Sequence, residues 1–153
     1  MNDLKQITNI DRLEAALMQL PPCDFPVEHL FTPGLYVRTT TLPKGSVLTS
    51  RRHLTEHPFV VLSGVVEVAS EFESQTYIGP CVGITKPGTK RVLHAIETTV
   101  WMTLHANPDD LTHPDEIGER ITAPDENPLL GDSSHPRLNQ WREGKHSIKE
   151  KLK

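Results

Sequence analysis

Apolar and polar positions follow two periods along this chain. Over residues 3–20, DLKQITNIDRLEAALMQL, the apolar positions are Leu4, Ile7, Ile10, Leu13, Ala16, Leu17 and Leu20. Steps of three and four place them on one face of a helix, with Asp11 as N-cap, a break allowed near Thr8-Asn9, and Pro21-Pro22 as the stop. From Phe25 the period falls to two. GLYVRTTTL (34–42) sets Leu35, Val37, Thr39 and Thr41 on one face and Tyr36, Arg38, Thr40 and Leu42 on the other. Segments 46–53, 58–64, 65–70, 74–79, 82–88, 91–97 and 99–105 follow at short, regular intervals, separated by Gly/Pro turns and by no helical stretch. Many short strands so punctuated predict an antiparallel sandwich or barrel. The expected fold is all-β: a single jelly-roll barrel over 25–107, an N-terminal helical segment over 1–24, and an irregular, partly helical arm over 108–153.

The arm is rich in proline and charge, with few apolar anchors. Helical turns are expected near 114–120 and 138–150, and the arm wraps the barrel, completes an oligomer contact or stays mobile.

Composition narrows the function classes. Hydrophobic residues make up 36% and aromatics 5%, so the core must be compact and mostly aliphatic. A net charge of −4 without a basic stripe argues against a nucleic-acid partner. No apolar run approaches the ~20 residues that span a bilayer, so no membrane association is expected. The N-terminus lacks a signal-peptide pattern. Cys23 and Cys81 are isolated and lack zinc-type spacing, which points to a reduced, cytoplasmic protein and leaves a single disulfide between them open.

Candidate chemistry lies in RRHLTEHPFVVLSG (51–64). On a regular strand His53 and His57 point to one side together with Arg51, and Glu56 points away. Two imidazoles alone are too few for a divalent transition metal such as Zn, Fe, Mn or Ni, which takes three or more protein donors. The third is expected from RVLHAIETTVWMTLH (91–105): a hairpin centred on Thr98 sets Arg91 opposite His105 with both side chains on one face, and turns His94 away. His53, His57 and His105 are thus the expected metal set, with open positions suited to Lewis-acid or O₂ chemistry. The competing reading makes them ordinary surface imidazoles, and a one-residue shift of the turn would reverse His105. Arg51 and Arg91, if inward, require anionic partners and so imply a carboxylate- or phosphate-bearing ligand. Otherwise they pair with Glu56, Glu67 or Glu97 on the surface. Glu56 is expected to orient an imidazole N–H or, through a strand irregularity, to ligate directly.

These residues resemble the cupins. That family's first motif runs from a glycine through a His-x-His pair and a glutamate to a closing glycine. Here Gly45 opens it and Gly64 closes it, His53 stands at the second histidine, His57 at the glutamate, and Arg51 at the first histidine. In KPGTKR the second motif places Lys86 at its proline, Gly88 at its glycine and Arg91 at its final histidine. More narrowly, residues 15–107, through TEH and KPG.KR, resemble small cupin-like proteins of unknown role from bacteriophage genomes. The resemblance implies a barrel with a metal pocket and no established reaction.

Two functions follow as expectations. One is a metal-dependent small-molecule protein, either an enzyme of oxygenase or isomerase type or a binder of an anionic metabolite. The other is a non-enzymatic phage protein: a virion component, or a binder of a host protein or signalling molecule, acting in the bacterial cytoplasm or the virion. The helix and arm outside the barrel imply a homodimer or higher homo-oligomer.

Overall fold

The computed structural model describes residues 8–21, 25–123, 127 and 129. Helix α1 (Asn9–Leu17) is followed by β1 (Val27–Thr32), β2 (Gly34–Leu42), β3 (Val47–Thr49), β4 (His57–Ser63), β5 (Val65–Ala69), β6 (Ser74–Ile78), β7 (Cys81–Thr85), β8 (Val92–Ala95), β9 (Thr99–Asn107) and helix α2 (Pro114–Ile121). The strands form two antiparallel sheets, β1-β2-β9-β4-β7 and β3-β8-β5-β6, facing each other as a jelly roll.

The helix begins one turn earlier in cap logic than Asp11. The Thr8 hydroxyl accepts the Asp11 N–H (3.1 Å) and the Asp11 carboxylate accepts the Thr8 N–H (3.0 Å), so Thr8 is the N-cap and Asp11 closes a capping box from the third position. The part of the expected helix before Thr8 lies outside the described residues, as do Cys23 and the helical turn expected at 138–150. Helix α1 buries Ile10 and is tied to the barrel through charge as well. The buried Glu14 carboxylate accepts from Thr49 (2.6 Å), Lys90 (2.9 Å) and Asn127 (3.0 Å), and Lys90 also reaches Asp11 at 3.9 Å.

Strand β1 was not anticipated, because VEHLFT carries charge at Glu28 and an imidazole at His29. It joins β2 through Pro33-Gly34, and Gly34 takes the positive φ of 76° that such a turn requires.

The expected 91–105 hairpin does not form. Strand β8 lies between β3 and β5 in one sheet, while β9 lies between β2 and β4 in the other. The Glu97-Thr98 link is therefore a crossover between sheets. The β4–β5 link at Gly64 crosses in the same region, and its φ of 97° and closeness to the Thr98 carbonyl leave no room for a Cβ.

The interior divides along the strand axis. Leu42, Phe59, Val61, Val66, Val68, Leu93, Ala95 and Trp101 make one buried apolar cluster. Two residues further along the same strands, the inward side chains turn polar. Trp101 gives way to Thr103 and His105 on β9, Phe59 to His57 on β4, Leu42 to Thr40 on β2, and Leu93 to Arg91 at the entry of β8. The C-terminal segment closes over this polar end. Ile117 of α2 is buried, His53 bridges Thr122, and the Leu54 and Ala123 N–H groups donate to the Ile121 and Arg52 carbonyls. So far as Ala123, the arm packs on the barrel.

Candidate functional site

Sheet register brings the site together. Tyr36 pairs with His105 across β2–β9, Phe59 with Thr103 across β4–β9, and His57 with Thr85 across β4–β7. Continuing the β4–β9 register by two residues sets His57 opposite His105, so Tyr36, His105, His57 and Thr85 form one inward row over four strands. The ring centroids agree: His57 to His105 is 4.3 Å and Tyr36 to His105 is 5.8 Å. His53 completes the group, 4.7 Å from His57, although it does not sit on a regular strand with it. The chain bends between them, and His53 is held by its bridge to Thr122 and by its N–H donating to the Thr89 carbonyl (2.9 Å).

The next inward row is Arg38, Thr103, Phe59 and Gly83. Phe59 lies across Gly83, where any Cβ would overlap its ring. The same ring stacks on Trp101 (4.5 Å, 10° between planes). The Arg91 guanidinium sits over this pair, 5.4 Å from the Phe59 centroid and 5.3 Å from that of Trp101. Arg91 is 5% exposed and makes no ion pair among the described residues.

Burial and neighbouring cations govern the ionisation. Desolvation, then the Arg91 charge, hold His53 down at about 3, and desolvation, then His57 and Arg38, hold His105 at about 3. His57 is lowered chiefly by desolvation, with the Thr55 carbonyl acting in the opposite direction and Arg91 in the same one. All three rings are neutral near pH 7. Tyr36 is pushed up to about 12 by burial, and its hydroxyl lies 2.6 Å from His29 Nδ1.

Several buried polar atoms at this end have no protein partner among the described residues: His53 Nδ1, His57 Nε2, His105 Nδ1, Arg91 Nε, Thr40 Oγ1 and Thr85 Oγ1. Unpaired buried polar groups are rare enough that a cluster of them marks a place built for something else. Transition-metal binding is one candidate, since neutral imidazoles with free ring nitrogens are the right donors. Among the described residues, however, no group of three or more His, Cys, Asp or Glu is arranged to hold a metal ion. The cluster also contains no carboxylate, and two guanidiniums lie within electrostatic reach of it. The set matches a metal in donor type and not in arrangement.

Other expected site residues lie elsewhere. Glu56 is exposed and pairs with Lys86 at 2.6 Å, because the bend after His53 turns it outward onto the neighbouring loop. Among the described residues its carboxylate makes no hydrogen bond to an imidazole. Arg51 is half-buried and makes no hydrogen bond or ion pair among the described residues. His94 lies on the outer face beside Glu67 (3.6 Å). Arg38 was not picked out, yet it faces inward between Tyr36 and Thr40 while remaining accessible to solvent. Its parity within GLYVRTTTL carried that signal. Cys81 is a free, half-buried thiol.

Comparison with known proteins agrees on the fold. No protein-family model matches the chain, and no curated protein matches it either. Among solved structures, the salicylate 1,2-dioxygenase of Pseudaminobacter salicylatoxidans is similar at 15% identity, over 67% of this chain and 33% of that one, with a TM-score of 0.52. The chain thus spans about a third of that enzyme's length. A cupin-2 domain protein from Shewanella frigidimarina is similar at 12% identity over 60% of this chain and 90% of that one, with a TM-score of 0.47. A conserved protein of unknown function from Streptococcus pyogenes gives 17% identity, 56% and 75% coverage, and a TM-score of 0.48. At these identities the likeness extends to the fold alone, a jelly-roll barrel. No helix of the described residues is long and apolar enough to cross a membrane.

Proposed function

We propose that the polar end of the barrel binds a small anionic molecule. The observation that carries this reading is Arg91: a guanidinium almost sealed from solvent, laid on two aromatic rings, with no carboxylate beside it among the described residues. A buried cation without a partner is expensive, and a bound anion supplies the partner. Arg38 adds a second, accessible guanidinium on the facing sheet, and Thr40 and Thr85 offer unpaired hydroxyls. Among the described residues, the inward side chains of this end include no Asp or Glu. Guanidiniums recognise carboxylate and phosphate through paired donors, which makes those the ligand groups of choice.

The test is calorimetric titration with carboxylates and phosphates in EDTA-containing buffer. Saturable binding that weakens at least tenfold in both Arg38→Gln and Arg91→Met supports the reading. Binding unaffected by either substitution overturns it.

A second reading is favoured by the three buried ring nitrogens: His53, His57 and His105 hold a divalent metal after a local adjustment, and the metal supplies Lewis-acid character to the bound anion. Elemental analysis of protein purified without chelator tests it. Near-stoichiometric metal that disappears in the His53→Ala/His57→Ala double variant is the supporting result, and metal-free wild type removes the reading.

A further inference from the structure

The hydrogen-bonding pattern around His57 defines the ligand more closely than charge does. The Thr55 carbonyl lies 3.1 Å from His57 Nδ1 and can only accept, so Nδ1 carries the ring hydrogen. In a neutral imidazole the other nitrogen is then a bare lone pair. That atom, Nε2, is buried inside a residue only 3% exposed, and no described protein group bonds to it. Its neighbours offer no relief. His53 and His105 flank the ring at 4.7 and 4.3 Å, and their own buried Nδ1 atoms are likewise unpartnered. Arg38 and Arg91 supply donors only. The polar end therefore holds an acceptor whose role is fixed, His57 Nε2, on the same side of the barrel as two arginines that can only donate.

We propose that the ligand is a small hydroxylated dianion: two acidic groups for the two guanidiniums, and an un-ionised hydroxyl that donates to Nε2 of His57. The inference rests on the anion-binding reading above and deepens it. Arg38 stands two strands from Phe59, about 10 Å at ordinary strand spacing, and Arg91 lies over that same Phe59, so the two cations face the polar end from different sheets. An anion made only of acceptors satisfies both arginines and leaves Nε2 unmet. Adding one hydroxyl donor meets it. A site built around a hydrogen bond to a hydroxyl rejects the analogue lacking it much more strongly than an apolar pocket rejects a missing methylene.

L-malate, D-malate and succinate provide the probe, because they share two carboxylates and differ in the hydroxyl and its placement. Titrations in EDTA exclude a metal-mediated contact. The expected result is at least one malate enantiomer binding about tenfold or more tighter than succinate, with the gap closed in His57→Phe. If that variant fails to fold, long-range ¹H–¹⁵N spectra of wild-type protein decide: the His57 Nε2 resonance should have the signature of an unprotonated nitrogen and move with malate but not with succinate. Equal affinities for malate and succinate, both weakened by Arg38→Gln, overturn the hydroxyl inference and leave anion binding standing. A preference that persists in His57→Phe overturns the assignment to His57. Absence of binding by any of the three, with no carboxylate or phosphate binding elsewhere, overturns both readings together.

Discussion

Replacing Arg91 by methionine should make the ligand-free protein more stable while abolishing its ligand affinity. Methionine has nearly the length of the arginine stem, is apolar, and can lie over Phe59 and Trp101 with a favourable sulfur–aromatic contact. The cost it removes follows from the environment of the guanidinium. Burial pulls Arg91 from its ordinary 12.5 to about 10, with Tyr77 acting weakly the other way. At 1.36 kcal/mol per pH unit this corresponds to ~3 kcal/mol against the charged form. Contact with two aromatic faces returns about 1–2 kcal/mol. The net gain on substitution is about 1–2 kcal/mol, or a rise in Tm of about 3–6 °C for a domain of this size. Calorimetric or fluorescence melts at pH 7 in EDTA, with no added anion, would measure it, and titration with the best-binding carboxylate would measure the lost affinity. A Tm that drops by several degrees would refute the reasoning. It would mean that the guanidinium is already satisfied by protein groups and belongs to the scaffold.

Acid should unfold the protein earlier than its carboxylates alone would. His53 and His105 sit at about 3 in the fold against 6.5 when unfolded, so the unfolded chain takes up protons first as the pH falls. Their contribution is constant above pH 6.5 and is lost between 6.5 and 3, up to about 4 kcal/mol for the pair at pH 5; urea midpoints unchanged between pH 7 and 5 would contradict this. Lys90→Met leaves Glu14 and Asp11 buried without their cation and should cost about 3–5 kcal/mol in urea unfolding, whereas an effect below 1 kcal/mol would show that the α1 docking cluster is open to water. Gly83→Ala should cost about 1–3 kcal/mol and weaken anion binding, because the new methyl displaces the Phe59 ring on which Arg91 rests. Loss of stability without loss of affinity would separate that ring from the ligand site.

The strand alternation and the N-terminal helix could be read from the chain, whereas the assignment of strands to sheets could not. The links at Gly64 and at Glu97-Thr98 are as short as hairpin turns, yet both carry the chain from one sheet to the other. Local composition does not distinguish a short hairpin turn from a crossover of one to three residues. Parity survives that error. Arg91 and His105 reach the same interior from opposing sheets because each keeps its inward position on its own strand, not because the two strands pair. His53 shows the limit of the method. Regular strand geometry predicted its direction, but in the structure the chain bends at 54–56, and a contact with Thr122, far away in sequence, holds the imidazole in place. Arg38 shows the converse: its face was evident from Tyr36, Thr40 and Leu42, yet it was not among the expected site residues.

An arginine, three uncharged histidines and two threonines facing one another without acids would be a poor core by themselves. They are tolerated because the other half of the barrel is a continuous apolar cluster, and because α1 is pinned by a buried ion network instead of by the polar end. Stability and recognition are thus carried by different ends of the same strands, with Phe59 and Trp101 as the boundary. A ligand that satisfies the unpaired donors and acceptors binds only the folded protein, and so must raise the melting temperature in proportion to its saturation. The unmet groups that make the ligand-free barrel less stable than its fold allows are, on this argument, the same ones that choose the ligand.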